Sequence, residues 1–143
     1  MIVSAPEIGQ WVLRQSDPHA VYAPQASSVL GYERNGRVIA GFVFENWNGR
    51  SMTAHMAIQG RATAEFYRRV ADYVFVTCGV HKLIAPVAST NRKAIRLVKK
   101  MGFLLEGVIY EAVPDGELLL FSLIEKDCRF LKGKYCEHVT MLQ

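Results

Sequence analysis

Two Asn-Gly pairs interrupt the alternation of apolar and polar positions in the first half of the chain. Asn35-Gly36 and Asn48-Gly49 suit the positive φ angles of a two-residue type I′ turn, so each predicts an antiparallel hairpin. Strands are therefore predicted over residues 29–34, 37–47 and 50–58. The middle segment is apolar at both odd and even positions, which predicts a central strand covered on both faces.

Three segments have the periodicity of amphipathic helices. Ser4 and Glu7 have the spacing of a capping box, which predicts a short helix that Asp17-Pro18 ends. Apolar residues three and four positions apart predict helices over 61–77 and 91–101. A glycine follows each of these two helices at a position that suits a C-terminal cap.

The second half of the chain adds three predicted strands, over 82–88, 103–113 and 117–124, and a last helical turn over 126–131. The strand at 50–58, the helix after it and the strand at 82–88 form a βαβ unit, whose two strands are parallel neighbours. We therefore expect an α/β fold with a mixed, mostly antiparallel sheet of six to seven strands. Helices are expected on both faces of this sheet.

Composition narrows the class of protein. The chain has 143 residues, of which 50% are hydrophobic and 21% charged, so it fits one globular domain over residues 1–143 rather than a disordered chain or a fibre. Its three cysteines lack metal-binding or CxxC spacing, which favours a reduced, cytoplasmic protein without a metal. No secretory signal and no apolar run of the roughly 20 residues that a membrane helix needs is present, so no membrane contact is expected.

A net charge of +4 would attract an anionic ligand, and one loop suits such a ligand. Residues 59–64, Gln-Gly-Arg-Ala-Thr-Ala, join the strand at 50–58 to the next helix. Main-chain amides at a helix N-terminus can bind a phosphate or pyrophosphate, and small residues let the backbone approach it closely. The alternative is an ordinary strand-to-helix turn with a surface arginine.

Residues 89–107 carry a family resemblance. Asn91, Gly102-Phe103 and Glu106-Gly107 resemble the N-x-x-A…GF-x-x-EG segment of the GCN5-related N-acetyltransferases, and most of all their phage-encoded and ribosomal-protein branches. His55, Asp115-Gly116 and the segment 127–131 also match features common in phage members. The resemblance covers residues 31–131 and leaves a tail at 132–143. It implies a sheet with one splayed parallel strand pair, and the host cytoplasm if the protein is phage-encoded.

The resemblance implies acetyl-CoA as co-substrate, bound between the splayed strands. Its pantetheine amides would pair with the strand edge at Met56, Ala57 and Ile58, and Asn91 would hydrogen-bond the cofactor arm. Its pyrophosphate would meet the amides of Gln59, Gly60, Arg61, Ala62, Thr63 and Ala64. Two positions depart from the family pattern, since Ala62 replaces a glycine and Val98 replaces a tyrosine that serves as the acid.

His55 is the best candidate for a catalytic base or a group that positions water, because histidine titrates near neutral pH. The alternative is a hydrogen-bonded sheet histidine without a catalytic role. A two-residue turn at Asn48-Gly49 would pair Glu45 with Met52, which places the Glu45 side chain on the face opposite His55. Tyr110 is a candidate proton donor or acceptor-pocket residue, although a half-buried strand tyrosine is the commoner case.

Basic residues cover one helix: Arg92, Lys93, Arg96, Lys99 and Lys100. A solvated helix face is one interpretation, and a clamp for the CoA 3′-phosphate, with Arg96 at its centre, is another. Contact with nucleic acid is a third, but no nucleic-acid motif accompanies these residues, so nucleic acid is not an expected partner.

The sequence therefore predicts an acetyl-CoA-dependent N-acetyltransferase acting on a primary amine of a protein or small molecule. The alternative is a catalytically inactive binding or structural protein of the same fold, which the departures at Ala62 and Val98 favour. The resemblance also implies an acceptor pocket built largely from the first helix, the loop after it and the late hairpin. Because the first two are short here, we expect an acceptor site that is open, or one that a second subunit completes in a homodimer.

Overall fold

A seven-stranded mixed sheet organises residues 1–15, 22–23 and 27–131, the part of the chain that the computed structural model describes. The strands are β1 (Ile2–Val3), β2 (Ser27–Arg34), β3 (Arg37–Glu45), β4 (Ser51–Ile58), β5 (Lys82–Ala88), β6 (Leu104–Val113) and β7 (Gly116–Ile124). The helices are α1 (Pro6–Arg14), α2 (Ala64–Asp72) and α3 (Arg92–Met101). A π-helical turn, Tyr73–Thr77, extends α2, and a 3-10 turn, Glu125–Asp127, follows β7.

The strand order is β1-β2-β3-β4-β5-β7-β6, and β4 and β5 form a parallel pair between antiparallel neighbours. These two strands are paired only from Ser51 opposite Lys82 to Thr53 opposite Ile84. Beyond that point β4 stays bonded to β3 and β5 stays bonded to β7. The parallel pair therefore opens into a fork toward its C-terminal ends. The predicted splayed strands and mixed sheet are confirmed.

Helices cover both faces of the sheet, as predicted. The helices α2 and α3 bury Phe66, Val70 and Val98 against one face, in the larger apolar cluster. On the other face, α1 packs Ile8 and Val12 over the middle strands in a smaller cluster. The strand β3 contributes to both clusters, which confirms its predicted central position.

The two Asn-Gly pairs have different outcomes. Asn35 and Gly36 take φ angles of 54° and 75°, so the first predicted hairpin turn is confirmed. The second prediction is wrong, because residues 46–50 form a longer loop between β3 and β4. The Asn48 side-chain oxygen accepts hydrogen bonds from the amides of Arg50 (2.8 Å) and Ser51 (2.7 Å) and closes a local turn there. The strand pairing consequently differs by one residue from the expected one.

The capping-box prediction at Ser4 is also wrong. The N-cap of α1 is Ala5, whose side chain cannot cap, and the Ser4 hydroxyl donates instead to the Val29 carbonyl at 2.9 Å. The cause is the pairing of β1 with β2, which brings that carbonyl within reach. The short strand β1 was not predicted from the sequence. Asp17-Pro18, the predicted helix stop, lies outside the described residues.

The other helix boundaries depend on side-chain caps. Thr63 caps α2 by accepting a hydrogen bond from the Phe66 amide at 3.2 Å, so this helix starts three residues later than predicted. Gly102 ends α3 with a φ of 109°, as expected for a C-terminal glycine. The predicted helical turn over 126–131 is replaced by the 3-10 turn, and the tail at 132–143 lies outside the described residues.

No helix in the described part of the chain is long and apolar enough to cross a membrane.

Candidate functional site

A cleft of about 390 Å³ lies at the C-terminal end of β4, between the start of α2 and the flank of α3. The loop after β4 forms one wall through Gln59, Gly60, Arg61 and Ala62. The side chain of Leu97 contributes an apolar surface from α3. The cleft therefore lies at the open end of the fork between the parallel strands, at the position that the sequence predicted for an anionic ligand.

Four cationic side chains line this cleft: Arg61, Lys93, Arg96 and Lys100. The three from α3 are spaced at i, i+3 and i+7, which brings them to one face of the helix. No carboxylate lines the cleft among the described residues. The basic helix is therefore more than a solvated face, since part of its charge converges on a concave site suited to phosphate groups.

The main-chain amides of the loop divide into two groups. Gln59 and Gly60 both donate to the Ile39 carbonyl, at 2.8 and 3.2 Å, so their amides are already engaged within the sheet. The predicted role of these two amides in binding a pyrophosphate stays a prediction. Within the described part of the chain, the amides from Arg61 to Ala64 make no hydrogen bond. They lie at the positive end of the α2 dipole.

Side chains of this region also have structural partners. The Gln59 amide nitrogen donates to Gln15 at 2.8 Å, which ties the loop to the end of α1. Asn91 caps α3, with its side-chain oxygen accepting from the Ala94 amide at 3.2 Å. This cap leaves the Asn91 side-chain nitrogen as a donor beside the open fork.

The strand edge at Met56, Ala57 and Ile58 lies in the part of β4 beyond its last pair with β5. The other edge of these residues is bonded to β3. The edge that faces the fork therefore has no strand partner in the described residues. Such an edge can pair with amide groups of an extended ligand.

His55 contacts Glu45 directly, with 2.6 Å between His55 Nε2 and Glu45 Oε1. The contact exists because Glu45 pairs with Thr53, which puts the side chains of Glu45, Thr53 and His55 on one face of the sheet. The expectation that Glu45 lies on the opposite face was wrong. The error follows from the loop at 46–50, because a one-residue change of register reverses the face of every side chain.

The contact between His55 and Glu45 lies where the parallel strands β4 and β5 separate. His55 is two residues beyond the Thr53–Ile84 pair, on the face of the sheet against which α1 packs. The side chains of His55 and Glu45 are 33% and 34% exposed, so another molecule can reach both. His55 is therefore a hydrogen-bonded histidine of the sheet, and its role as a base stays a prediction.

Tyr110 lies far from His55 in the sheet. It lies on β6, the outer strand of the sheet, where its side chain is 73% exposed. The strands β5 and β7 lie between β6 and β4, so three interstrand spacings, about 14 Å, separate the two strands. A joint catalytic role with His55 is therefore not supported by the geometry.

Tyr67 and Val98 mark the apolar wall near the cleft. Val98 is fully buried in the larger cluster, so no proton donor occupies the position of the family tyrosine. Tyr67 lines the cleft, and burial raises the pKa of its phenol to about 12. Tyr67 belongs to none of the sequence motifs, so the sequence offered no signal for its place in the site. Lys93 and Lys100 carried a signal in their i, i+3, i+7 spacing with Arg96.

A second crevice, also of about 390 Å³, lies at the other end of β4. It is lined by Met52, Trp47 and the π-helical turn, and Ser28 and Tyr73 share a hydrogen bond of 2.6 Å there. No lysine or arginine lines it among the described residues. The first cleft is therefore the better site for an anionic ligand.

No cluster of metal-ligating side chains occurs in residues 1–15, 22–23 and 27–131.

Solved structures with the same architecture are acetyltransferases by name. The spermidine/spermine N-acetyltransferase SpeG from Vibrio cholerae superposes with a TM-score of 0.67 at 17% identity, covering 88% of this chain and 92% of that one. A chimera of this enzyme with hSSAT gives 0.67 at 15% identity, over 88% and 96% of the two chains. A structure named "Probable acetyltransferase" gives 0.61 at 18% identity, over 71% and 62%.

The chain therefore has the GCN5-related N-acetyltransferase fold that its sequence predicted. No profile of a known protein family and no curated protein matches the sequence itself. At identities of 15–18% the superpositions establish the fold, and the function has to be argued from the site. The resemblance to the phage-encoded and ribosomal-protein branches stays a prediction.

Proposed function

We propose that the protein is an acetyl-CoA-dependent N-acetyltransferase that transfers the acetyl group directly to a primary amine. One observation carries this proposal. The fork between β4 and β5 has a cation-lined cleft at its open end and the His55–Glu45 pair at the point where the strands separate. A long ligand with phosphates at one end and a reactive group at the other fits this arrangement.

The cofactor would lie along the fork. Its pyrophosphate would accept hydrogen bonds from the amides at the start of α2, from Arg61 to Ala64. The cations of α3, Arg96 among them, would neutralise its phosphates. The pantetheine amides would pair with the free edge of β4 at Met56, Ala57 and Ile58, and the Asn91 side-chain nitrogen would donate to the same arm.

The reaction needs a neutral amine and an exit for the thiolate. His55 would take one proton from the amine as the nitrogen attacks the thioester carbonyl carbon. The carbon–sulfur bond then breaks, the acetyl group stays on nitrogen, and the thiolate takes a proton from water. Solvent serves as the acid because Val98 fills the place of the family tyrosine.

The test separates binding from chemistry. Acetyl-CoA at about 100 times its Kd should stabilise the native protein by about 2.7 kcal/mol, seen as a rise in melting temperature. Transfer of a labelled acetyl group is then measured with a polyamine, a peptide N-terminus and a lysine peptide as acceptors. His55→Ala should keep the stabilisation and lose about 10²–10⁴ of the transfer rate.

Two results would overturn parts of the proposal. No stabilisation by saturating acetyl-CoA removes the enzyme hypothesis. Full transfer by His55→Ala, with an unchanged pH dependence, removes the role of His55 and leaves the cofactor site intact.

The alternative is a binding or structural protein of the same fold without catalysis. Two departures favour it, Ala62 at the phosphate loop and the buried Val98 in place of a tyrosine. This alternative predicts no acetyl transfer to any of the three acceptors, whether or not acetyl-CoA stabilises the protein. The same measurements therefore decide between the two functions.

Compartment and assembly remain predictions. Cysteines without disulfide or metal spacing fit the cytoplasm, and the host cytoplasm if the protein is phage-encoded. A homodimer in which a second copy completes the acceptor site is the expected assembly if the site is not open.

A further inference from the structure

A carboxylate supports the candidate base. Glu45 Oε1 lies 2.6 Å from His55 Nε2, and both side chains are about one-third exposed. We infer that Glu45 is a positioning residue for acetyl transfer, which holds His55 in the tautomer protonated at Nε2 and leaves Nδ1 as the base. This inference rests on the proposed function, because it concerns the same site.

The assignment of the tautomer follows from hydrogen-bond chemistry. An ionised carboxylate only accepts hydrogen bonds, so the short contact requires His55 Nε2–H to donate to Glu45. A neutral imidazole carries a single N–H, so Nδ1 keeps its lone pair. Nδ1 is therefore the nitrogen that can take a proton from the incoming amine.

The proton transfer then creates a positive charge on His55 beside the negative charge of Glu45. When Nδ1 takes the amine proton, His55 becomes an imidazolium whose Nε2–H still points at the Glu45 carboxylate. Hydrogen bonds between ionised partners are stronger than neutral ones, so the protonated state gains more from this contact than the neutral state does. Glu45 thereby favours the protonated base that forms during attack.

The backbone holds Glu45 in place for this role. It is the last residue of β3 and pairs with Thr53, which precedes His55 by two residues on β4. The loop at 46–50, closed by the Asn48 side chain, sets this register. A two-residue turn would have turned the carboxylate away from the histidine.

Two other charged groups on this face contact each other rather than His55. Lys82 on β5 and Glu106 on β6 lie toward the outer half of the sheet and contact each other at 2.7 Å. Ser27, opposite Glu45 on β2, is uncharged, and α1 turns the apolar Ile8 and Val12 toward the sheet. Among the described residues, Glu45 is therefore the carboxylate placed to act on His55.

The experiment compares Glu45→Gln and Glu45→Ala with the wild type, and uses Glu106→Gln as a matched glutamate control on the same face. Nitrogen NMR of the histidine rings reports the His55 tautomer without any need for activity. Wild type should show Nε2–H. Glu45→Ala should show a tautomer mixture, and so should Glu45→Gln, because the glutamine amide can donate to Nε2 as well as accept from Nε2–H.

Kinetics test the effect on the reaction. Glu45→Ala should lower kcat by at least about tenfold, with little change in KM for acetyl-CoA. Glu45→Gln removes the charge and no longer fixes the orientation of the hydrogen bond, so its kcat should fall as well. Glu106→Gln should leave kcat unchanged.

Each failure has a separate meaning. An Nδ1–H tautomer in the wild type, or an unaltered kcat in both Glu45 variants, overturns the role of Glu45 and leaves the proposed function standing. Absence of acetyl transfer by the wild type overturns the proposed function and, with it, any role of Glu45 in catalysis.

Discussion

Thr53 on β4 lies beside Ile84 on β5 as the last pair of the parallel ladder. Up to this pair the two strands share hydrogen bonds, and beyond it each strand keeps only its outer partner. The pair therefore sets where the fork begins, and it places His55 two residues inside the opening. The cation-lined cleft lies at the far end of the same strand, near Ile58.

The first prediction concerns the charge of the cleft. Arg96→Gln should weaken acetyl-CoA binding by about tenfold or more, because a hydrogen bond to a charged group is worth about 1.5–3 kcal/mol. Lys99→Gln removes the same charge from α3 at a position outside the cleft, so it should change the Kd little. Calorimetric titration of both variants checks this. Equal weakening by the two variants would show that net charge, rather than the cleft, binds the cofactor.

The second prediction concerns the packing of α1 against the sheet. A Cβ atom at Gly41 would lie 2.7 Å from Val12 Cγ2, so Gly41→Ala should cost about 1–3 kcal/mol of unfolding free energy. Val12→Ala removes the obstructing methyl groups, and the double variant should cost less than the sum of the single ones. Urea unfolding measures all three. Gly107→Ala is the control, since its Cβ would meet Leu120 at an ordinary 3.8 Å.

The third prediction concerns the end of α3. Gly102 has a φ of 109°, and a Cβ there would collide with the Asp127 carbonyl oxygen. Gly102→Ala should therefore lose more stability than the roughly 1–3 kcal/mol expected for backbone strain alone. Gly36→Ala, at a φ of 75° with open space around it, carries strain without collision. Equal losses in the two variants, measured by denaturant unfolding, would contradict the collision.

The fourth prediction concerns pH. Hydrogen bonds from Lys82 and Ser122, together with the lysine charge, hold the pKa of the Glu106 carboxyl below its usual range. A carboxyl with a lowered folded pKa stabilises the native state above its unfolded pKa, and this contribution disappears as the pH falls through the folded pKa. Glu106→Gln should therefore be less stable than the wild type near neutral pH, and the difference should vanish in acid.

The measurement is the urea midpoint of both proteins from about pH 7 down to about pH 3. Lys82→Met removes the partner and should reproduce the same pH dependence. A stability difference that stays constant across this range would mean that the carboxyl charge contributes nothing.

Local patterns were enough to predict most elements of the fold. The turn at Asn35-Gly36, the stop at Gly102 and the strand Lys82–Ala88 depend on φ preferences and periodicity within a few residues. The parallel pair followed from chain order alone, because a strand, a crossover helix and another strand leave few other arrangements. The position of the loop at 59–64 followed from the same order.

The site itself depended on contacts between distant parts of the chain. The Ser4 hydroxyl bonds a carbonyl of β2 rather than its own helix, and the amides of Gln59 and Gly60 are engaged by β3. No local pattern reports a partner that is distant in sequence. Glu45 is the clearest case, since five loop residues, rather than two, decide which face of the sheet its carboxylate occupies. The sequence by itself determined the fold and the place of the cleft, through local preferences. Only the tertiary structure decided that Glu45 contacts His55, because strand register is set by pairing across the sheet.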